Sequence, residues 1–132
     1  MEPLISLMLR QTSRLYHPGD ELTGEYQIDA VDPQEIVAVE ISVLWYTEGK
    51  GDEDLAVHYF QRRVPADAEE GDLRRLHQFS TVLPNSPLSY AGQIVKIHWC
   101  ARVRVFFRGG KDLFFEQPFL IAARSAQAVL ST

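Results

Sequence analysis

The sequence predicts an all-β protein, an antiparallel β-sandwich of about seven strands. Apolar residues alternate with polar ones along two long segments, residues 36–46 and 94–107. Clusters of Pro and Gly separate these from five shorter segments of the same kind. No segment shows a convincing apolar stripe at helical spacing. Seven strands with one apolar face each bury those faces when they pack as two sheets.

The two long segments are the clearest predicted strands. In the first, the predicted inward row is Val37, Val39, Ile41, Val43 and Trp45. In the second, it is Val95, Ile97, Trp99, Ala101, Val103, Val105 and Phe107. A helix, with a period of 3.6, would scatter these side chains around its circumference. We therefore expect Trp45 and Trp99 to be core residues from different strands.

Five further strands are predicted from shorter alternating segments: LISLMLR, ELTGEYQID, LAVHYFQRRV, LRRLHQFSTVL and DLFFEQPFLIA. Gly24, inside the second of these, indicates a bulge or a close backbone approach. A turn or two of helix is expected at most in "PADAEEGD" or in the tail "RSAQAVLST".

Pro and Gly mark the predicted connections. "HPGD" at 17–20 and "RGGK" at 108–111 are typical of tight turns. The longer "LPNSPLSYAG" contains Pro84 and Pro87, which cannot donate to a strand ladder. A connection of this length fits a crossover between two sheets better than a hairpin, and Tyr90 is expected to pack over one end of the sandwich.

Length and composition predict one domain. We expect 132 residues to form a single sandwich over residues 1–122, followed by a flexible tail at 123–132.

The one cysteine, Cys100, cannot form an internal disulfide, which fits a cytoplasmic protein. The first residues lack the basic start and long apolar region of a secretory signal. No apolar run is long enough to span a bilayer.

Two stretches resemble the arrestin-like superfamily. "FSTVLPNSPLSYAGQIVKIHWCARVRV" carries Phe79, Leu83, Pro84, Pro87, Ser89, Tyr90, Gly92, Ile97 and Trp99 at positions of that pattern. "YHPGDELTGEYQI" resembles an earlier element of the family through Tyr16, Pro18, Gly19, Asp20, Leu22 and Gly24. The resemblance implies an immunoglobulin-like, arrestin-type β-sandwich, in agreement with the strand pattern.

The resemblance also implies a scaffold role. Many members have two such sandwiches in tandem, whereas this chain has room for one, so the polar core between two domains of receptor arrestins cannot form from one chain. We therefore expect a protein partner or a homo-oligomer, formed through an exposed strand edge.

The chain shows no catalytic or cofactor signature. His17, His58, His77 and His98 lie on separate segments without metal-ligand spacing, so we expect isolated surface histidines, with His58 and His98 pointing outward. Nucleophile elbows, P-loops and dinucleotide glycines are missing. We expect a neutral Cys100 thiol, no enzyme activity, no metal and no cofactor. A formal charge of −5 argues against binding of nucleic acid.

One surface stands out as basic. Lys96, His98, Arg102 and Arg104 share the outward face of the second long strand, and Arg62 and Arg74 add charge from other segments. These six residues form our candidate partner-binding face, for an acidic or phosphorylated protein. The alternative is cross-strand pairing within the domain, with acids such as Glu40 and Glu116.

Three functions fit the sequence. The first is a non-catalytic protein-interaction module, an adaptor or scaffold of arrestin-like type. The second is a small-ligand carrier or a carbohydrate-binding module that uses surface aromatics such as Tyr46 and Tyr59. The third is a non-catalytic subunit of an enzyme complex. The first is favoured because it requires no feature that the sequence lacks.

Overall fold

The computed structural model describes residues 2–51 and 53–124, which form two facing β-sheets. The strands are β1 (Leu4–Leu9), β2 (Leu15–Tyr16), β3 (Glu21–Asp29), β4 (Ile36–Gly49), β5 (Leu55–Arg63), β6 (His77–Val82), β7 (Tyr90–Ala91), β8 (Val95–Phe107) and β9 (Asp112–Ile121). Three short 3₁₀ turns complete the secondary structure of these described residues, at Pro33–Glu35, Pro65–Asp67 and Glu69–Gly71.

The sheets differ in size. The smaller sheet has the order β1-β3-β6, and the larger has the order β2-β9-β8-β4-β5, with β7 beside β8. Among the described residues, all long strands pair antiparallel, and the two-residue β2 pairs parallel with β9. Because the alternating strands have one apolar face each, the two inner faces together form the core.

The predicted fold class is confirmed. All seven predicted strands are present, and the two additional strands, β2 and β7, have two residues each. Strands this short carry too little alternation to be recognised in a sequence. "PADAEEGD" forms the second and third 3₁₀ turns. In the tail predicted as flexible, residues 125–132 lie outside the described residues.

A β-bulge changes the facing of one predicted residue. The register of β4 on β8 shifts between Ile36 and Ala38, so one extra residue is inserted at the start of β4. Ile36 therefore occupies the core position at 1% exposure, and Val37 is exposed. The prediction that Val37 starts the inward row is wrong, because alternation does not reveal a bulge.

The rest of the inward row follows the prediction. Val39, Ile41 and Val43 are completely buried, and Trp99 on β8 is 1% exposed. Trp45 lies opposite Trp99 in the register and packs against the core, but it is only partly buried. The prediction of a core tryptophan is therefore confirmed for Trp99 and only in part for Trp45.

The proline-rich connection crosses between the sheets as predicted, from β6 in the smaller sheet to β8 in the larger. It is fastened to the core at two points. Trp99 Nε1 donates to the Pro87 carbonyl at 2.9 Å, and Ser89 exchanges hydrogen bonds with the backbone of Ile121. Leu88 packs against the core, whereas Tyr90 is exposed. The expected capping role of Tyr90 is therefore wrong.

Gly24 marks a close approach between side chain and backbone. It lies on β3 opposite Phe79 of β6, and a Cβ at this position would be 2.6 Å from Phe79 Cζ and 3.2 Å from a methyl carbon of Leu9. The Phe79 ring occupies the space that a side chain at position 24 would need. This observation explains a glycine in the middle of a strand.

Replacing Gly24 by Ala is expected to destabilise the fold by about 1–3 kcal/mol, the usual cost of overpacking a core. Urea denaturation would measure the change. Gly24→Ala combined with Phe79→Leu, which removes the clashing ring atoms, should lose less than the sum of the two single changes. Simple additivity would show that Phe79 is not the obstacle.

Both predicted tight turns are present. Gly109 and Gly110 connect β8 to β9 with φ of +88° and +91°, a left-handed conformation that favours glycine. In "HPGD", Asp20 closes the turn, because its backbone N–H donates to the His17 carbonyl and its carboxylate accepts from the His17 N–H.

Candidate functional site on the outer face of the larger sheet

The outer face of the larger sheet carries most of the predicted site residues. It is formed by the side chains of β5, β4, β8 and β9 that point away from the smaller sheet, and we call it the outer face. Lys96, His98, Arg102 and Arg104 lie along β8, with Arg62 two strands away on β5. The structure therefore brings five of the six predicted residues to one surface.

Acidic side chains accompany the arginines of this face. Arg62 pairs with Glu40 at 2.7 Å, and Arg104 pairs with Asp112 at 3.4 Å. Arg102 donates from Nε and Nη2 to one oxygen of Glu116, at 2.9 and 2.6 Å. The predicted alternative, cross-strand pairing with Glu40 and Glu116, is therefore present in the structure.

His98 and Lys96 lie at the end of this row. His98 Nε2 is 2.9 Å from Glu48 Oε1, and the hydrogen bond, together with the nearby Lys96 ammonium, holds the pKa of Glu48 below its usual range. The His98 ring also leans on Tyr46, with 5.1 Å between ring centroids. Lys96 itself is exposed.

Aromatic rings hold the arginines against the sheet. The guanidinium carbons of Arg102 and Arg104 lie 5.6 and 5.4 Å from the centroid of Phe114, and that of Arg62 lies 5.5 Å from Phe106. Phe114 is nevertheless 49% exposed. Cation–π contacts of this kind fix a flat guanidinium above a ring and leave its edge free for hydrogen bonds.

The outer face exposes several large apolar side chains to solvent, among them Leu55, Val57, Phe60 and Phe114. Sequence reasoning did not select them, or the acids Glu48 and Asp112. The sequence did contain a signal for the β9 residues, because the short Gly109–Gly110 turn fixes the register of the hairpin between β8 and β9. That register places Glu116 opposite Arg102 and Phe114 opposite Arg104.

Cys100 lies beneath this charged layer and is 3% exposed. Its Sγ is 3.5 Å from Glu116 Oε2, to which the thiol donates. Burial, with the Glu116 carboxylate adding to it, raises the pKa of the thiol to about 12. Cys100 is therefore neutral at physiological pH, as expected, and has little thiolate for nucleophilic chemistry.

Arg74 lies apart from the outer face. It precedes β6, and its guanidinium donates to Asp72 and to the Val31 carbonyl, while its own carbonyl accepts from Ile28 of β3. The hydrogen bond to Arg74 lowers the pKa of Asp72. Arg74 thus fastens a loop to the end of the smaller sheet.

The four histidines are dispersed, and across residues 2–51 and 53–124 no group of His, Cys, Asp and Glu could hold a metal ion. His98 points outward as predicted. His58 does not, because its ring reaches toward the smaller sheet and bonds the Val82 carbonyl at 2.8 Å. His77 packs on Tyr26, and burial together with the Arg63 charge lowers its pKa. His17 bonds the Ala122 carbonyl.

The features considered for ligand binding do not converge. Tyr46 faces outward beside His98, whereas Tyr59 faces inward and stacks on Phe79 of the smaller sheet, so the two rings lie on opposite faces. Large side chains, among them Trp99, Tyr26 and Tyr16, fill the interior of the sandwich.

Within the described part of the chain, no helix has the length and apolar character required to cross a membrane.

Comparison with known proteins shows a likeness of fold. No family model and no curated protein matches the sequence. Among solved structures, the chain is similar to the sporulation control protein Spo0M from Bacillus subtilis, with a TM-score of 0.62 and 16% sequence identity. The match covers 92% of this chain and 50% of that one, so the chain spans about half the length of Spo0M.

A sequence identity of 16% supports a conclusion about the fold alone. The likeness agrees with the sequence resemblance and with the two sheets described above. It covers nearly the whole chain. The protein has an all-β, arrestin-type immunoglobulin-like sandwich fold.

Proposed function

We propose that this chain is a non-catalytic protein-interaction module of arrestin-like type that binds a protein partner on the outer face. The observation that carries the proposal is the exposed Phe114, held beneath Arg102 and Arg104 on the same surface as the exposed Phe60 and Val57. Aromatic and arginine side chains are the residues enriched at the energetic centres of protein interfaces.

The charges of the outer face suggest how an acidic partner would bind. Because Arg102 uses two donors on one oxygen of Glu116, an incoming carboxylate or phosphate would share or replace that acceptor rather than meet a free cation. Lys96 is exposed at the end of the row and could add attraction. We therefore propose a partner that presents an acidic or phosphorylated group next to apolar side chains.

The setting of this function is part of the proposal. We propose a single sandwich domain over residues 1–122 that acts as an adaptor or scaffold in the cytoplasm, without a cofactor. A buried and neutral Cys100 suits a reducing compartment. A second sandwich, from another chain, is one form that the partner could take.

Replacing Phe114 by Ser tests the docking surface directly. Phe115 provides the matched control, since it is the adjacent residue, is 43% exposed, and lies on the other face of β9, opposite Val103 of the core. The wild-type chain and both variants would be used to capture proteins from a lysate of the source organism. Captured proteins would be identified by mass spectrometry and their affinities measured.

We expect at least one protein that wild type and Phe115→Ser retain and that Phe114→Ser binds about 30-fold more weakly or more. That factor corresponds to about 2 kcal/mol, the loss of one central interface residue. If Phe114→Ser retains every partner, or if Phe115→Ser loses the same ones, the outer face is not the docking surface.

A further inference from the structure

Strand β5 forms an edge of the larger sheet, and its exposed side chains are mostly apolar. In the described part of the chain, β5 pairs with β4 alone. Three side chains of β5 that point to the outer face are exposed and apolar, namely Leu55, Val57 and Phe60. An edge presents backbone N–H and C=O groups to other chains, and proteins usually protect it with charges or Pro. On β5, Arg62 is the one charged side chain among those that point to the outer face.

A bulge gives β5 an unusual order of facing. The register on β4 passes from Val43 opposite Tyr59 to Leu44 opposite Val57, so His58 is the extra residue. Both His58 and Tyr59 point inward, since His58 packs against Trp99 and Tyr59 stacks on Phe79.

The side chains of β5 therefore point to the outer face and to the core in a symmetric order. From Leu55 to Arg62 they point out, in, out, in, in, out, in and out. The centre of this symmetry is the peptide bond between His58 and Tyr59. A strictly alternating strand could match this order on one side of the bulge only, because its side chains change face at every residue. A second copy of β5, running antiparallel across a twofold axis at that bond, matches it at every position.

We propose that two copies of this chain pair through their β5 edges, antiparallel and in the register that places Val57 of one copy opposite Phe60 of the other. The two larger sheets then form one continuous sheet, and the outer faces of both copies lie on the same side. Such an interface is isologous, and the twofold axis repeats each contact.

The side chains agree with this register. Val57 and Phe60 meet twice across the axis as a β-branched and aromatic pair, a favourable cross-strand combination. The same register places Asp54, one residue before Leu55, opposite Arg63, and it brings Glu53 diagonally near Arg62. Glu53 and Asp54 are exposed in the single chain, and Arg63 uses one nitrogen on the Tyr26 hydroxyl, which leaves donors for a carboxylate.

This inference goes beyond the docking surface proposed above and is separable from it, because Phe114 lies on β9, three strands away from β5. A monomeric protein could still bind a partner at Phe114, and a dimer could form without any partner.

Sedimentation equilibrium of the purified chain over a range of concentrations gives the first test. We expect a reversible dimer, and we expect Val57→Lys to raise its dissociation constant at least about tenfold, because the ammonium would lie against Phe60 of the second copy. Val57 is 50% exposed in the single chain, so the fold should tolerate the change. Met8→Lys, at an exposed apolar position on β1, is the matched control and should leave the dimer unchanged.

Disulfide trapping tests the register and does not depend on Val57→Lys. The double variant Val57→Cys with Phe60→Cys should oxidise to a covalent dimer, since the two positions face each other across the axis. Leu55→Cys with Phe60→Cys requires a register shifted by two residues and should not form one. Neither pair can close within one strand, where the Cα atoms are more than 7 Å apart, and buried Cys100 should not compete.

Each outcome decides the inference. A wild-type chain that stays monomeric at millimolar concentration overturns it, as does a dimer that Val57→Lys leaves intact or that Met8→Lys disrupts equally. Cross-linking in the shifted pair, or in neither pair, overturns the register. A dimer weakened by Val57→Lys alone and trapped by the Val57 and Phe60 pair alone establishes it.

Discussion

Replacing Trp99 by Ala is expected to lower the free energy of unfolding by about 3–5 kcal/mol, which is a large part of the stability of a small domain. The indole is 1% exposed and packs between Phe119 of β9 and His58 of β5. Its Nε1 also donates to the Pro87 carbonyl. The change therefore leaves a cavity and also releases the crossover between the sheets. Urea denaturation followed by circular dichroism would measure the loss.

Two companion variants separate these contributions. Trp99→Phe keeps an aromatic ring but removes the hydrogen bond to Pro87, so it should cost less than Trp99→Ala. Trp45→Ala should also cost less than Trp99→Ala, because Trp45 is only partly buried. If Trp45→Ala proves the more damaging change, the assignment of Trp99 as the centre of the core is wrong.

Reversing two charges, Arg102→Glu with Arg104→Glu, is expected to lower the stability by about 2–3 kcal/mol and to weaken binding of a partner at the outer face. Most of the loss should come from Arg102, because its pair with Glu116 is mostly shielded, with side chains 24% and 31% exposed. A new carboxylate beside Glu116 adds repulsion. The Arg104 pair is more exposed and should contribute little.

The two effects require separate measurements. Thermal melting reports stability, and titration against a partner that Phe114→Ser loses reports affinity per folded molecule. The control Lys50→Glu with Lys111→Glu makes the same change in net charge at two exposed loop positions. A destabilised double arginine variant with unaltered affinity would assign the basic row to intramolecular pairing alone. Added salt should weaken wild-type binding if exposed charges contribute.

The alternation of side chains was sufficient to predict the fold class. The apolar rows that contain Trp45 and Trp99 require pleated strands, and the Gly109–Gly110 turn requires a hairpin between β8 and β9. These features are local, because a strand's facing and a turn's backbone depend on neighbouring residues. The two prolines likewise predicted the crossover, since proline ends a ladder whatever the surroundings.

Bulges and pairing required the tertiary structure. Val37 and His58 each face opposite to the predicted direction, because one extra residue in a strand reverses the alternation beyond it. Nothing in the local sequence distinguishes such a residue from its neighbours. The same bulge at His58 gives β5 the symmetric order of facing on which the proposed dimer depends.

The sequence by itself determined which residues are basic, that five of the predicted ones lie on strands β5 and β8, and that one sandwich has an apolar interior. Only the tertiary structure decided that Arg102 bonds Glu116, that Arg74 lies elsewhere, and that Phe114 lies beneath two arginines. The physical reason is the separation along the chain between the residues that determine each feature. Facing within a strand is fixed over two residues, whereas the partner of a charged side chain depends on the register between strands that are far apart in the chain.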